Sequence, residues 1–241
     1  EFKNAELPND TSYNFLYERN KEYMNSVAIV FGNERITYGE LHNIIDEYAR
    51  ALYKRGVRNN DIIVTSTLNT PESIYISYAL NKLGAINCPI NPFSSEYMML
   101  KDLEMVKPKM FIGINDAYGK LKKAKAFDNI DIITFPLTMS IDDKKLKVLY
   151  NIKSFINGNN VFKLDKKLKH VLKDGRNFKD ALFPAYENKK ISDIMFTGGS
   201  SGVHKGVELD SNGINCVVRS LDFVTELKPG DGQFAPIYCI W

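Results

Sequence analysis

Hydrophobic and polar residues change period several times along this chain. From Leu41 the apolar positions Leu41, Ile44, Ile45, Tyr48, Ala49 and Leu52 recur every three or four residues, which predicts an amphipathic helix. Thr37 and Glu40 stand before it as a T-x-x-E capping box, and Gly56 follows as a left-handed terminator. Ile62-Ile63-Val64 is short and β-branched, as in a buried strand. The alternation then repeats. Thr70 sits where a cap would, Pro71 suits a first helical position, and Ile74, Tyr78, Ala79 and Leu83 form one face before Gly84. Ala85 to Ile90 reads as a strand, and Ser94 or Ser95 opens a helix to about Val106. Met110–Ile114 predicts a strand, Asp116–Ala126 a helix and Ile130–Phe135 another strand. Strand and helix alternating over short connections predict an α/β fold: layered, mostly parallel sheets with helices on both faces.

Past Phe135 the rhythm is lost. Lysine and asparagine dominate from about Pro136 to Lys190, with short helices expected at Lys144–Phe155 and Lys163–Leu172. The rhythm returns at Ile191–Phe196, an alternating strand, followed by a glycine- and serine-rich loop. Val207–Leu209 reads as extended, Ser211 as the cap of a helix reaching Leu221, and Gln233–Ile237 as a last strand. The chain therefore divides into a first α/β unit over 1–135, an elaborated connection over 136–190, and a loop region over 191–241 that opens a second unit.

Composition narrows the class without changing it. With 241 residues, 44% hydrophobic and 25% charged, the chain is long enough to bury a core, and global disorder, collagen and a disulfide scaffold are excluded. No apolar run approaches the ~18–20 residues of a spanning helix. The first twenty residues are polar and carry no apolar signal-peptide core. A chain opening on Glu1 rather than Met reads as trimmed. Cys88, Cys216 and Cys239 lie far apart and fit neither a zinc site nor a disulfide framework, so a reducing cytoplasm and three small buried thiols are expected. His42, His170 and His204 share no ligand spacing.

Charge is uneven although the net is only +3. Between Lys144 and Lys173 nine lysines face Asp165 alone, a local excess of +8 that leaves −5 for the remainder. Such a segment can face anionic lipid or a phosphorylated ligand, or be a solvated face. Arginine is scarce there and no aromatic–arginine platform appears, so nucleic acid is not an expected partner.

The loop Thr197-Gly198-Gly199-Ser200-Ser201-Gly202-Val203-His204-Lys205-Gly206 carries the candidate chemistry. Its glycines let backbone approach a ligand closely, clustered amides can form an anion nest, hydroxyls add short donors and Lys205 adds charge. Composition alone leaves two readings open, a polyphosphate cradle or a flexible polar turn. It is not a Walker A loop, because Gly206 and an extended segment follow Lys205, and its glycine spacing is not that of a dinucleotide fingerprint.

Thr197 through Gly202, with Lys205 and Gly206, resemble the phosphate-binding signature of the adenylate-forming superfamily, which includes acyl-CoA synthetases, luciferases and the adenylation domains of peptide synthetases. His204 stands where that signature usually has proline. Ile36-Thr37-Tyr38-Gly39-Glu40-Leu41, with Ala49–Gly56 and Asn60-Asp61, is similar to the family's opening segment. Ala79-Leu80-Asn81-Lys82-Leu83-Gly84-Ala85, followed by Pro89-Ile90-Asn91-Pro92, is similar to its next conserved-looking stretch. Ala235–Cys239 resembles a later one, with Cys239 where a histidine is usual, and Asp210 and Ser211 replace a common Thr-His pair.

The resemblance implies a ligase that joins a carboxylate to ATP, releases pyrophosphate, and passes the acyl group to coenzyme A or a carrier-bound thiol. Thr197, Gly198, Gly199, Ser200, Ser201, Gly202 and Lys205 would hold the β- and γ-phosphates with magnesium, and Tyr238 and Cys239 would border the carboxylate pocket. Family members run to more than twice this length, which implies an N-terminal piece that is inactive alone and self-associates through surface the missing part would cover. The lysine segment suggests a fatty or other hydrophobic carboxylate and peripheral membrane contact. An amino-acid adenylation domain feeding a carrier protein, and a catalytically inactive nucleotide-binding or interaction module, are the alternatives.

Overall fold

The computed structural model describes residues 8–123, 126, 130–141, 143–159, 166–197, 204–225 and 230–232. Helix α1 (Ser12–Asn20) opens the fold, and strands β1 (Val27–Phe31) and β2 (Glu34–Thr37) pair as an antiparallel hairpin turning at Gly32. Neither the helix nor the hairpin is apparent from the periodicity. Helix α2 (Tyr38–Lys54) begins at the anticipated box: the Glu40 amide donates to Thr37 Oγ1 (3.2 Å), and the Thr37 amide donates to Glu40 Oε2 (2.8 Å). Its inner face buries Leu41, Ile45, Tyr48, Ala49 and Leu52.

Next come β3 (Ile62–Ser66), α3 (Pro71–Lys82), β4 (Ile86–Pro89), α4 (Glu96–Val106), β5 (Met110–Ile114), α5 (Asn115–Lys123) and β6 (Asp131–Phe135). Asn60, at +65°, and Gly84, at +67°, take the left-handed backbone that these tight joints require. On α3 the buried face is Tyr75, Ile76, Ala79 and Leu80, so Ile74 and Tyr78 are only half-buried. Thr70 holds the cap position but makes no side-chain cap bond. Pro71 removes one donor, and the Ser73 amide is taken by the Thr70 carbonyl at 3.0 Å.

With β7 (Ile191–Thr197) and β8 (Lys205–Asp210), these strands form one six-stranded sheet in the order β6-β5-β3-β4-β7-β8. Strands β6 to β7 of that order run parallel, and β8 is antiparallel at the edge. The chain steps from β3 to β4, then reverses over β3 to reach β5. Right-handed crossovers place helices on opposite faces when the direction reverses. Accordingly α2 packs with α3 and α7 (Leu168–Gly175), whereas α4 packs with α5. Phe111, Ile63, Ile112 and Ile133 fill the sheet's core.

Helices α6 (Lys144–Ile156) and α7 belong to the lysine-rich connection. The second begins later than its sequence predicts, at Leu168, because its buried residues are Leu168, Val171 and Gly175. The connection returns the chain to β7 (Ile191–Thr197), which lines up beside β4, followed by β8 (Lys205–Asp210) and α8 (Ser211–Val224). The cap of α8 is Asp210, not Ser211: its carboxylate accepts from the Gly213 amide at 2.6 Å. The expected strand at 233–237 lies outside the described residues. Among the described residues no helix is long and apolar enough to cross a membrane.

Candidate functional site

In a parallel sheet all carboxyl ends lie on one edge, where ligands of open α/β folds bind. Strand β7 reaches that edge at Thr197, and β8 leaves it at Lys205. The two residues are registered partners, so Thr197 and Lys205 face one another across the antiparallel pair β7–β8. Gly198, Gly199, Ser200, Ser201 and Gly202 lie outside the described residues, as do Tyr238 and Cys239. Of the anticipated phosphate-binding residues, the fold thus places Thr197 and Lys205, both exposed, at the loop's two roots.

The stem is held from beneath by two buried polar clusters. In the first, Thr65 Oγ1 donates to Asn87 Oδ1 (2.8 Å) and Asn87 Nδ2 donates to Asp193 Oδ1 (3.2 Å). Ser192 Oγ donates to the other oxygen of Asp193 at 2.8 Å. This ladder crosses β3, β4 and β7, where Asn87 and Asp193 are the registered pair that joins β7 to β4. Burial pushes the Asp193 carboxyl above the ordinary range, against the opposing hydrogen bonds from Ser192 and Asn87.

The second cluster is His204 and Asp102. His204 Nδ1 lies 2.9 Å from Asp102 Oδ1, and the Asp102 side chain on α4 is 4% exposed. Phe196 lies tilted against the imidazole at 6.0 Å between centroids. Burial raises the Asp102 pKa, while the hydrogen bond and charge of His204 oppose the rise. The residue that departs from the proline pattern therefore ties the loop's exit to α4. Sequence reasoning missed Asp102, although a signal existed: a lone carboxylate three residues after Met99 and adjacent to Leu103, on a stripe those residues bury.

Cys88 is buried on β4, and desolvation pushes its thiol up to about 12, so it is an inert packing group. Cys216 is only half-buried, contrary to its expected full burial, because α8 turns part of that face outward; Cys239 lies outside the described residues. Among the described residues no group of three or more His, Cys, Asp or Glu side chains gathers as a metal site.

A hairpin loop rooted on hydroxyl and ammonium, at the carboxyl edge of a parallel sheet, suits an anionic ligand such as a polyphosphate. Known proteins are similar to this chain over most of its length. A 3-[(3aS,4S,7aS)-7a-methyl-1,5-dioxo-octahydro-1H-inden-4-yl]propanoyl:CoA ligase of Rhodococcus jostii (strain RHA1) is 27% identical over 194 residues, covering 78% of this chain and 35% of that protein. An acetyl-coenzyme A synthetase of Shewanella sp. (strain MR-4) is 26% identical over 236 residues, covering 92% of this chain and 34% of its own. The chain thus spans about a third of the length of these curated relatives. Among solved structures, the anthranilate CoA ligase AuaEII in complex with anthranoyl-AMP superposes with a TM-score of 0.67 at 14% identity, covering 88% of this chain and 36% of that one. VinN in complex with L-aspartate superposes with a TM-score of 0.65 at 18% identity, covering 91% and 53%. The sequence profile of the AMP-binding enzymes extends over residues 16–241, from within α1 through the loop and beyond, and the chain belongs to that family.

Proposed function

We propose that this chain supplies the nucleotide-phosphate grip of an AMP-forming acid–thiol ligase of the acyl-CoA synthetase type. The observation that carries the reading is the registered pairing of Thr197 with Lys205 at the roots of a family-like loop. The substrate is the magnesium complex of ATP, with a hydrophobic carboxylate as acyl donor and coenzyme A as acceptor. The carboxylate attacks the α-phosphorus, the bond to pyrophosphate breaks, and an acyl-adenylate forms. The thiol sulfur then takes the acyl group and AMP leaves. Charge grows on the departing pyrophosphate, so preorganised donors and the Lys205 ammonium stabilise that step. Asp102, through His204, and Asp193, through the ladder, fix where those donors stand.

Two measurements test this. Calorimetric titration with Mg-ATP should give binding that Lys205→Ala and Gly199→Val each weaken at least tenfold; unchanged affinity in Lys205→Ala overturns the assignment. ATP–pyrophosphate exchange across a carboxylate panel should be absent from this chain alone and, in a longer protein that carries it, should favour hydrophobic and aromatic acids. In that longer protein, exchange confined to amino acids would instead mark an amino-acid-activating domain, and Mg-ATP binding without exchange for any acid a nucleotide-binding module.

Peripheral contact with anionic membrane is the accompanying proposal. Its support is α6, where Leu149, Phe155 and Ile156 are 63, 66 and 75% exposed beside Lys144, Lys145 and Lys153. A lysine-edged apolar helix face suits the headgroup boundary of anionic lipid. Flotation with phosphatidylserine vesicles at low salt should carry the protein, and Phe155→Glu with Ile156→Glu should abolish it. Absence of flotation removes the proposal.

A further inference from the structure

At the far end of the same sheet edge, where β6 finishes, a cavity of about 450 Å³ opens between β6, α6 and α7. That is within the size of small-molecule sites, about 300–1,000 Å³. Phe135, Pro136, Met139 and Leu168 give it apolar walls. Lys147, Lys167, Lys169 and His170 bring positive or proton-donating groups to it from α6 and the start of α7. No Asp or Glu is among the described residues that line it. None of the four basic residues is held in an ion pair among the described residues.

Two further observations point to a ligand rather than to a solvated crevice. Thr134 lines the cavity, is 1% exposed, and among the described residues its hydroxyl has no hydrogen-bond partner, an arrangement that costs free energy. Helix α7 presents its first turn here, and among the described residues Lys167 at its cap position makes no side-chain cap bond, although its carbonyl takes the His170 amide at 2.9 Å. In the strand order, β5, β3 and β4 stand between β6 and β7. At about 4.8 Å per strand the cavity lies about 19 Å from the root of the phosphate loop.

We infer that this cavity binds a small phosphomonoester carrying an apolar or aromatic body. Three lysines, a histidine, an unpartnered hydroxyl and a helix N-terminus exceed what the two oxygens and single charge of a carboxylate can use. A phosphate monoester brings three acceptor oxygens and a charge of about −1.5 to −2. Inorganic phosphate alone would leave the apolar walls uncovered.

Titration calorimetry of the full chain with phenyl phosphate, inorganic phosphate and benzoate tests the site without relying on ligase activity. Phenyl phosphate should bind with one-to-one stoichiometry, at least tenfold tighter than either of the others. Lys147→Glu and Lys167→Glu should each weaken it at least tenfold, with unchanged far-ultraviolet circular dichroism. Thr134→Val should weaken it three- to tenfold while leaving the unliganded melting temperature equal or higher. Lys205→Ala should leave phenyl phosphate affinity unchanged, which separates this cavity from the phosphate loop whether or not that loop binds ATP. The inference is overturned if phenyl phosphate does not bind at millimolar concentration, if benzoate binds as well, or if affinity survives the lysine reversals or Thr134→Val. Loss of affinity in Lys205→Ala would likewise overturn it by placing the ligand on the loop.

Discussion

A buried carboxylate needs a partner, and two here find theirs beside the loop. His204→Ala leaves Asp102 enclosed with its hydrogen-bond partner gone, so a loss of about 1–3 kcal/mol is expected in urea unfolding. Asn at position 204 can restore a donor and should recover part of the loss. Asp193 makes a prediction about pH. Burial holds its carboxyl above the ordinary 3.8, so the folded state keeps a proton that the unfolded chain releases first. The stability this contributes is complete below the ordinary value and is lost as pH climbs through the raised one. In Asp193→Asn that slope disappears. Its melting temperature relative to the wild type should therefore rise as pH climbs above the ordinary carboxylate range; a constant offset would contradict the assignment. Neither partnership was legible in the sequence. Asp102 and His204 are separated by a hundred positions in the chain, and local periodicity carries no information about which distant groups meet. The loop was legible only as a candidate, because glycine, hydroxyl and lysine at short spacing are the parts that a phosphate cradle would need.

Helix–helix contact sets the next constraint. Gly175 ends α7 against α2, and a Cβ built there would fall 2.1 Å from Ala51 Cα and 2.4 Å from Ala51 Cβ. Gly175→Ala is therefore expected to destabilise by about 1–3 kcal/mol through overpacking. Introduced beside Ala51→Gly it should cost measurably less than on the wild-type background, a coupling that urea midpoints would report. The elements from Leu41 to Phe135 were legible because their periods, caps and glycine stops are local and mutually consistent. Helix α1 was not. Its sequence shows no strong stripe, and it is held by distant partners, including the Tyr13 amide donating to Asn81 Oδ1 at 2.9 Å and packing on α3 and α8. The β1–β2 hairpin escaped for a related reason: Val27-Ala28-Ile29-Val30-Phe31 is uniformly apolar rather than alternating, yet Val27 and Val30 are exposed.

Among the described residues, exposed apolar side chains are densest on α6 and recur on α8. On α8, Val217, Val218 and Leu221 are exposed, although the helix is otherwise seated on β7, β8 and α1. Self-association through that helix is expected at high concentration. Light scattering should return a mass above 27.5 kDa for the wild type and return it towards that value for Val217→Lys with Leu221→Lys. A wild type that scatters as a monomer would remove the expectation.

The segment from Pro136 to Lys190 spans the breadth of the sheet to carry the chain from β6 to β7. Beyond that covalent strap, β7 meets β4 through one registered residue pair and a short run of buried polar side chains. The strap is also rich in lysine, the residue type after which trypsin cuts. A single tryptic nick there would leave β3 to β6 joined by their own ladders and leave the hairpin to the His204–Asp102 and Asn87–Asp193 contacts and to α8 on α1, so the proposed grip on phosphate should weaken before the fold is lost.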